Sequence, residues 1–142
     1  MSNVANALAN KKKPTISIEP DKTVLEALKL MADSNVGSVV VKDADNYYGI
    51  FTERDYARNV ILKSRVSSDT IVREVMSTGH PQVKAEDDLD YCMQLMSDRN
   101  IRYLPVVNDS GFAGLISVTD VIREKVNAQK ETINHLQNYI HG

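Results

Sequence analysis

Two short segments of the chain carry the same set of polar groups at the same spacing. Residues 49–55 read GIFTERD and residues 114–120 read GLISVTD, so each has a glycine, two apolar residues, a hydroxyl and, three residues after the hydroxyl, an aspartate. The order of apolar and polar residues predicts a strand that leads into a helix. A helix N-terminus carries partial positive charge and N–H groups that lack helical acceptors, which makes it a suitable position for a phosphate.

The hydroxyl and the aspartate indicate which kind of phosphate ester would suit such a position. Thr52 or Ser117 can donate a hydroxyl hydrogen bond to a phosphate oxygen. The aspartate would repel a phosphate, but it can accept two hydrogen bonds from the diol of a ribose. The pattern therefore favours a ribose 5-phosphate over a bare phosphate, with Arg54 and Arg58 as further phosphate ligands. The alternative is that each hydroxyl and aspartate simply cap a helix, and both interpretations stay open.

Residue arrangements that would indicate catalysis do not occur in the sequence. The histidines are His80, His135 and His141, and they form no Ser/His/Asp, Cys/His or HExxH arrangement. The usual glycine-rich phosphate loops are also missing. Cys92 lies on a helical apolar stripe, which predicts a buried side chain and not a nucleophile. We therefore predict that the chain is not an enzyme and has no metal site and no catalytic cofactor.

The two polar segments belong to a longer internal repeat. At a shift of 65 residues, the stretch from Pro20 to Arg58 aligns with the stretch from Ala85 to Arg123 without a gap. Self-similarity of this kind indicates two copies of one structural unit. The identical aligned positions are Leu30/Leu95, Met31/Met96, Asp33/Asp98, Asn35/Asn100, Val41/Val106, Gly49/Gly114, Asp55/Asp120 and Arg58/Arg123.

Each copy is predicted to begin with an amphipathic helix. Thr23 with Glu26 reads as a capping box for the first of these helices, and Asp88 reads as the N-cap of the second. Both helices are expected to end near the aligned asparagines, Asn35 and Asn100. Apolar residues with helical spacing define their buried faces: Val24, Ala27, Leu28 and Met31 in the first copy, and Leu89, Cys92, Met93 and Met96 in the second.

A hairpin and a second helix complete each predicted copy. One copy of about 60 residues buries a small fraction of its surface, so the two copies are expected to pack their sheets together and share a core. An extra strand is expected before each copy, and a connection with a short helix is expected between them. The predicted ranges are strands 15–18, 38–41, 47–52, 82–84, 103–107 and 112–117, helices 56–62 and 121–140, and the connection 63–76.

Composition and charge limit the partners that the chain is expected to have. With 142 residues and a net charge of −2, the chain has no broad basic surface for nucleic acid. No stretch approaches the ~20 apolar residues that span a bilayer, and the first charges follow a weakly apolar stretch, which is the wrong order for a secretory signal. A cytoplasmic protein is therefore predicted, with Lys11 to Lys13 as a solvated tail.

The helix predicted from Val121 to Ile140 has apolar residues that extend beyond the repeat. Self-association through this stripe and packing of the stripe back on the chain are both open. The residues of the stripe are Ile122, Val126, Ile133, Leu136 and Ile140.

The tandem Gly-x-x-Thr/Ser-x-x-Asp repeat resembles the cystathionine-β-synthase (CBS) domain family over nearly the whole chain. Residues 49–56, 75–76 and 99–106 are similar to the small stand-alone CBS-pair proteins of bacteria and plant organelles. The resemblance implies an α+β fold in which two pseudo-symmetric β-α-β-β-α motifs pack through their sheets. The first motif is predicted at residues 10–66, the second at residues 75–130, and a C-terminal helical extension at residues 131–142.

The resemblance also implies a function and a set of ligand-binding residues. It implies a regulatory module that binds an adenosine ligand (AMP, ADP, ATP, NAD(H) or S-adenosylmethionine) in the clefts between the motifs, forms a homodimer and signals to a target that the sequence does not name. A ligand-free dimerisation or scaffolding module is the alternative. The residues implied to hold phosphate and ribose are Thr52, Arg54, Asp55 and Arg58 in one cleft, and Ser117 and Asp120 in the other. Those implied to hold the adenine are Thr15, Ile16, Val36 and Ser38, and His80, Val83, Ile101, Arg102, Tyr103 and Pro105.

Two departures from the family pattern distinguish the copies. Val40 stands in the first copy where the second has Pro105. Thr119, also a candidate contact, stands where related proteins often have a glycine before the aspartate, so its side chain would crowd a phosphate. The two sites are therefore expected to differ in competence.

Overall fold

The computed structural model describes residues 2–44 and 46–141. The chain divides into two compact units. One unit consists of residues 13–80. The other combines the residues up to 12 with those from 81 onward, so that its two parts are separated in the sequence. The predicted motif boundaries stay a prediction, and each unit is described by itself.

The unit of residues 13–80 is built on a three-stranded sheet. The first helix of the chain, α1 (Val4–Ala9), belongs to the other unit. The elements of residues 13–80 are β1 (Ser17–Ile18), α2 (Val24–Ser34), β2 (Ser38–Asp43), β3 (Asn46–Thr52), a short helical turn α3 (Glu53–Asp55) that continues as a π-helix (Tyr56–Ile61), and a 3₁₀ turn (Val72–Glu74). Strand β2 lies in the middle of the sheet, parallel to β1 and antiparallel to β3. The buried core consists of Ile18, Val24, Ala27, Met31, Val39, Val41, Phe51, Val60, Val72 and Val75.

The other unit contains a β-hairpin enclosed by three helices. Its elements are α1, α4 (Leu89–Arg99), β4 (Tyr103–Asn108), β5 (Gly111–Ser117) and α5 (Val118–His141). Strands β4 and β5 pair antiparallel, and Val83 pairs with Val106 in a single parallel bridge. The core of this unit consists of Val4, Ala7, Val83, Leu89, Cys92, Met96, Leu104, Val106, Ile116 and Val121.

Helices α2 and α4 confirm the boundaries that the sequence predicts. The Thr23 hydroxyl accepts a hydrogen bond from the Glu26 N–H at 3.1 Å, and the Asp88 carboxylate accepts one from the Tyr91 N–H at 2.8 Å. Each helix ends at an asparagine in the left-handed region, with φ of 52° at Asn35 and 53° at Asn100. Asparagine tolerates this conformation better than most residues, which explains its recurrence at both positions.

Several predicted elements differ from those observed. The strand predicted at 15–18 is limited to Ser17–Ile18, and that predicted at 82–84 is limited to the bridge at Val83. The helix predicted over 56–62 begins at Glu53 and becomes a π-helix, while the one predicted from 121 begins at Val118. Both helices start earlier because the hydroxyl residue caps the helix and the aspartate lies inside its first turn.

The prediction of a solvated tail at Lys11 to Lys13 is wrong for Lys11, whose side chain is largely buried, and is confirmed for Lys12 and Lys13, which are exposed. Helix α1 precedes this run and buries Val4 and Ala7 completely or nearly so. The Lys11 ammonium contacts the Asp120 carboxylate at 3.0 Å, and the Lys13 ammonium donates to the Asn35 carbonyl at 2.5 Å. Lys12 is exposed, as a solvated residue would be.

The mixed α+β composition and the two hairpins confirm the predicted fold class. Within residues 2–44 and 46–141, no helix is both long enough and apolar enough to cross a membrane.

Candidate functional site

The first candidate site is the junction between β3 and α3, where Thr52 and Asp55 bond to each other. The Asp55 Oδ2 atom accepts hydrogen bonds from the Thr52 N–H at 2.9 Å and from the Thr52 hydroxyl at 3.0 Å. In return, the Asp55 N–H donates to Thr52 Oγ1 at 3.1 Å. This is a capping box with aspartate in the position that glutamate usually takes. Both side chains are buried, with Asp55 5% exposed, so the capping role anticipated from the sequence is present.

Ser77 adds a further partner to the carboxylate of Asp55. Its hydroxyl donates to Asp55 Oδ1 at 2.5 Å. Two backbone hydrogen bonds of 3.0 and 2.8 Å hold Ser77 against Ile50. Gly49 makes this approach possible, since a Cβ at that position would lie 2.5 Å from the Ser77 carbonyl oxygen. The glycine that recurs in the repeat therefore helps to position a third polar group at the site.

The second candidate site is the junction between β5 and α5, and it repeats the capping geometry. The Ser117 N–H donates to Asp120 Oδ2 at 2.8 Å, and the Asp120 N–H donates to Ser117 Oγ at 3.1 Å. Two cations also contact this carboxylate. Lys11 Nζ lies 3.0 Å from Oδ2, and Arg123 Nη1 lies 3.4 Å from Oδ1. Asp120 is 7% exposed, so these ion pairs are shielded from solvent more than pairs on an open surface.

The pKa of Asp120 lies below its ordinary value as the net result of opposing effects. Burial alone would raise the pKa, because it disfavours the charged carboxylate. The Ser117 N–H, the Lys11 ammonium and the Ser117 hydroxyl together outweigh that effect. The carboxylate is therefore charged at neutral pH and acts as a hydrogen-bond acceptor with no proton to donate.

The backbone around both sites has the same arrangement. The Glu53 N–H donates to the Gly37 carbonyl at 3.1 Å, and in the other unit the Val118 N–H donates to the Arg102 carbonyl at 2.9 Å. Two first-turn N–H groups in each helix thus have partners within the protein. At the first site the Thr52 hydroxyl already donates its hydrogen to Asp55. The side-chain groups that can contact a ligand are therefore the two carboxylates, the Ser117 hydroxyl and the nearby arginine and lysine side chains.

His80 lies in the unit of residues 13–80, whereas the resemblance grouped it with Val83 and residues 101–105. Burial lowers the pKa of His80, and this effect outweighs the Asp55 carboxylate, which raises the pKa; the Arg54 guanidinium lowers it further. The imidazole is therefore predominantly neutral at pH 7. Its electrostatic neighbours connect it with the first candidate site.

The other predicted contact residues are distributed over the two units. In the unit of residues 13–80, Ser38 is buried opposite Thr52 in the β2–β3 pairing, and Val36 lines a cavity of about 370 Å³ together with Gly37 and Glu53. The carbonyl of Ile16, which follows Thr15, accepts from the Val40 N–H at 3.0 Å. Arg54 and Arg58 are exposed beside the site.

In the other unit, the predicted residues lie on β4 and at the start of α5. Tyr103 pairs with Ser117, and the Pro105 carbonyl accepts from the Val83 N–H at 3.0 Å. Ile101 packs partly against the core, while Arg102 and Thr119 are exposed. A larger cavity of about 1070 Å³ lies between α1, the N-terminal end of α4 and the middle of α5. None of the predicted site residues lines it.

Sequence reasoning missed three residues that contact the site carboxylates, Lys11, Ser77 and Arg123. The alignment of Arg123 with Arg58, a predicted phosphate ligand, was the available signal for Arg123. Lys11 is 109 positions from Asp120, and no local pattern links residues so far apart. The recurring glycine at 49 was the available signal for Ser77, because a conserved spacing with glycine often marks a close backbone approach.

The described residues contain no group of three or more His, Cys, Asp or Glu side chains that could hold a metal ion. Cys92 is completely buried, which confirms the predicted apolar role. Burial, followed by the nearby Asp87 and Asp88, raises the pKa of its thiol to about 11. The thiol is therefore protonated at neutral pH and is a poor nucleophile.

Two sheets of similar construction, each leading through a hydroxyl–aspartate junction into a helix, define a tandem module. The CBS domain model matches the chain twice, over residues 8–61 and 72–127. The chain therefore belongs to the CBS domain family and contains a tandem pair of its motifs.

Similar proteins and a similar solved structure also contain CBS domains. A mitochondrial CBS domain-containing protein of Arabidopsis thaliana is 40% identical over 127 residues, which cover 86% of this chain and 62% of the plant protein. A CBS domain-containing protein of Bacillus subtilis is 34% identical over 109 residues, or 74% of each chain. The solved structure of a protein with CBS domains from Burkholderia ambifaria has a TM-score of 0.83 and 36% identity, covering 90% of this chain and 96% of the other. Because the plant relative is mitochondrial, the cytoplasmic location stays a prediction.

Proposed function

We propose that this chain is a non-enzymatic regulatory module that binds an adenosine nucleotide, AMP, ADP, ATP or NAD(H), and communicates its presence to a target protein. The relative from Burkholderia ambifaria is described as a candidate signal-transduction protein, which is consistent with such a role. A ligand can transmit a signal when it binds two arrangements of the protein with different affinity.

The observation that carries the proposal is that each unit has a buried, hydrogen-bonded aspartate carboxylate beside a hydroxyl side chain. Asp55 and Asp120 are 5% and 7% exposed, and burying a carboxylate costs free energy unless its hydrogen bonds are satisfied. A cap alone does not require this burial, since the Asp88 cap of α4 is exposed. A carboxylate has about four acceptor positions, and the partners named above take three of them at each aspartate. One ribose hydroxyl can therefore bind alongside these partners, and both hydroxyls of the diol can bind when one partner leaves.

A ligand titration of the folded chain tests the proposal. We expect AMP, ADP, ATP, NAD⁺, NADH or S-adenosylmethionine at 100 times its dissociation constant to stabilise the chain by about 2.7 kcal/mol. For a chain of this length, that corresponds to a rise in melting temperature of roughly 5–10 °C. Thermal-shift measurement gives the ligand, and isothermal titration calorimetry then gives its affinity and stoichiometry.

Matched variants separate binding at the sites from general effects of charge. Asp55→Asn and Asp120→Asn remove the negative charge and keep one acceptor oxygen for the cap. Asp33→Asn and Asp98→Asn make the same change at another aligned pair of aspartates, both exposed. We expect the site variants to weaken binding at least tenfold and the controls to leave it unchanged. Absence of binding by the nucleotide-free, folded chain would disprove the proposal.

We also propose that the module forms a homodimer through the C-terminal part of α5. Ile133, Leu136 and Ile140 are 53, 57 and 73% exposed and lie on one side of the helix at a spacing of three to four residues. Exposed apolar residues that form a continuous stripe favour burial against a second surface. A ligand-free scaffolding role through the same stripe is the second candidate function.

A further inference from the structure

The two candidate sites differ in the groups that hold their carboxylates. Asp55 is held by the Thr52 N–H and by the hydroxyls of Thr52 and Ser77. Asp120 is held by the Ser117 N–H and by two cations, Lys11 and Arg123. The repeat reproduces the cap and does not reproduce the lysine, so the lysine is a property of the second site.

The position of Lys11 is determined by the packing of α1. Val4 and Ala7 are buried in the core of this unit. The N–H groups of Val4 and Ala5 donate to the carbonyls of Asp87 and Ala85, both at 2.9 Å. Lys11 follows the helix by two residues, and its side chain is 15% exposed. Its ammonium is therefore directed to Asp120 by a docked helix.

The neighbouring Asn10 supports the same arrangement. Its side-chain amide donates to the Glu124 carboxylate at 2.9 Å, and Glu124 is 8% exposed on α5. Two successive side chains after α1 thus bind two acidic side chains on one helix. Because the hydrogen bond of Asn10 to Glu124 holds this segment on α5, the Lys11 ammonium stays near Asp120 even when it does not contact the Asp120 carboxylate.

We propose that Lys11 is a specificity-determining residue of the second site. When a nucleotide binds, the Lys11 ammonium leaves Asp120 and pairs with the phosphate of the nucleotide, and the Asp120 carboxylate accepts hydrogen bonds from the ribose diol. This inference rests on the proposed nucleotide binding and goes beyond it by assigning the preference for a phosphorylated ligand. After the exchange, the Lys11 ammonium is paired with the phosphate, and the Asp120 carboxylate keeps its ion pair with Arg123 and accepts hydrogen bonds from the ribose hydroxyls.

The consequence is a discrimination between a nucleotide and its nucleoside. Adenosine can offer its diol to Asp120, but it has no anion to receive the displaced ammonium in this shielded position. An unpaired, partly buried ammonium is unfavourable. AMP supplies the anion, so the same displacement is compensated. The second site therefore selects for a phosphate although Asp120 itself repels one.

The experiment measures AMP and adenosine by calorimetry in chains that carry Asp55→Asn, so that the second site alone is read. Lys11→Met removes the ammonium and keeps most of the aliphatic stem, and Lys12→Met makes the same charge change at the exposed neighbour. We expect Lys11→Met to weaken AMP roughly tenfold and to leave adenosine unchanged or bound more tightly. Lys12→Met is expected to change neither affinity.

Each alternative result has a distinct meaning. A merely structural lysine would weaken AMP and adenosine equally in Lys11→Met, and an uninvolved lysine would change neither; both results overturn the inference while nucleotide binding stands. Loss of all binding in the Asp55→Asn chain, with binding retained in the unaltered chain, overturns it as well by excluding the second site. Absence of AMP binding to the unaltered chain refutes the proposed function itself.

Discussion

At the scale of single residues, the two aligned aspartates show how one local sequence acquires two different environments. Thr52 and Asp55, like Ser117 and Asp120, were identified from type and spacing alone, and each pair forms the reciprocal cap that this spacing allows. Arg123 contacts Asp120 from the next turn of α5, whereas Lys11 and Ser77 come from distant parts of the chain. Lys11 could not be predicted, because a side chain brought from elsewhere by packing leaves no periodic signal near the site, and for Ser77 the only signal was the recurring glycine at 49.

His80 provides a prediction about pH at the residue scale. Its pKa is lowered in the folded chain, mainly by burial, so the unfolded chain binds a proton first as the pH falls through about 6.5. The free energy of unfolding should therefore decrease between about pH 7 and the lowered pKa of the folded chain, below which both states are protonated. Urea denaturation at pH 7.5 and pH 5.5 measures the decrease.

The His80→Gln variant should show a smaller loss of stability over that interval than the unaltered chain. His135→Gln is the control, since His135 lies on the exposed part of α5. Carboxylates titrate in all three chains, and the comparison between variants cancels their contribution. An equal pH dependence in His80→Gln and in the unaltered chain would contradict the assignment of this effect to His80.

At the scale of elements, the periodic parts of the chain were predictable and the irregular parts were not. Helices α2 and α4 have apolar stripes, caps and asparagine ends that agree with one another, and both hairpins follow from short apolar runs separated by polar turns. Helix α1 is six residues long, too short for an amphipathic pattern to stand out. The π-helix at Tyr56–Ile61 was also missed, because its wider turn depends on tertiary packing.

Gly49 gives a prediction at this scale. In Gly49→Ala, the new methyl group would meet the Ser77 carbonyl oxygen, which lies 2.5 Å from the ideal Cβ position. We expect a loss of about 1–3 kcal/mol in the free energy of unfolding, because either the β3 backbone or the segment at Ser77 must shift. Urea denaturation followed by circular dichroism measures this loss.

Gly79→Ala is the matched control for this substitution. A Cβ at Gly79 has no neighbouring atom within 4 Å, so the free energy of unfolding should change by no more than about 0.5 kcal/mol. If both variants were equally stable, the close approach of Ser77 to β3 would not have the importance assigned to it.

At the scale of the whole molecule, the exposed apolar stripe of α5 is the surface on which the proposed homodimer depends. The repeat was predictable from the sequence, and so was the apolar stripe that continues along α5 beyond the core residue Val121. The sequence predicted one shared core, whereas each unit has a core cluster of its own. The sequence alone does not decide whether the stripe packs back on the chain. The structure leaves the side chains of Ile133, Leu136 and Ile140 more than half exposed, which favours association.

Truncation after Val126 should convert a dimer to a monomer, as measured by size-exclusion chromatography with light scattering at micromolar concentration. The double variant Ile133→Gln/Leu136→Gln should have the same effect without shortening the chain. Glu131→Ala/Asn138→Ala changes the opposite side of the helix and should leave the dimer intact. A dimer that persists after truncation would show that another surface is responsible.

The docking of α1 into a core otherwise made by residues from 81 onward has a consequence for synthesis. Residues 13–80 leave the ribosome as a continuous stretch and can complete their own core early. Val4 and Ala7 are made first, yet their packing partners on α4, β5 and α5 are made last. Until those partners have been synthesised, the apolar face of α1 has no surface of this core to pack against, so the docking of α1 follows the synthesis of α5. The contact between Lys11 and Asp120 can therefore form only after the ribosome has synthesised the chain as far as α5.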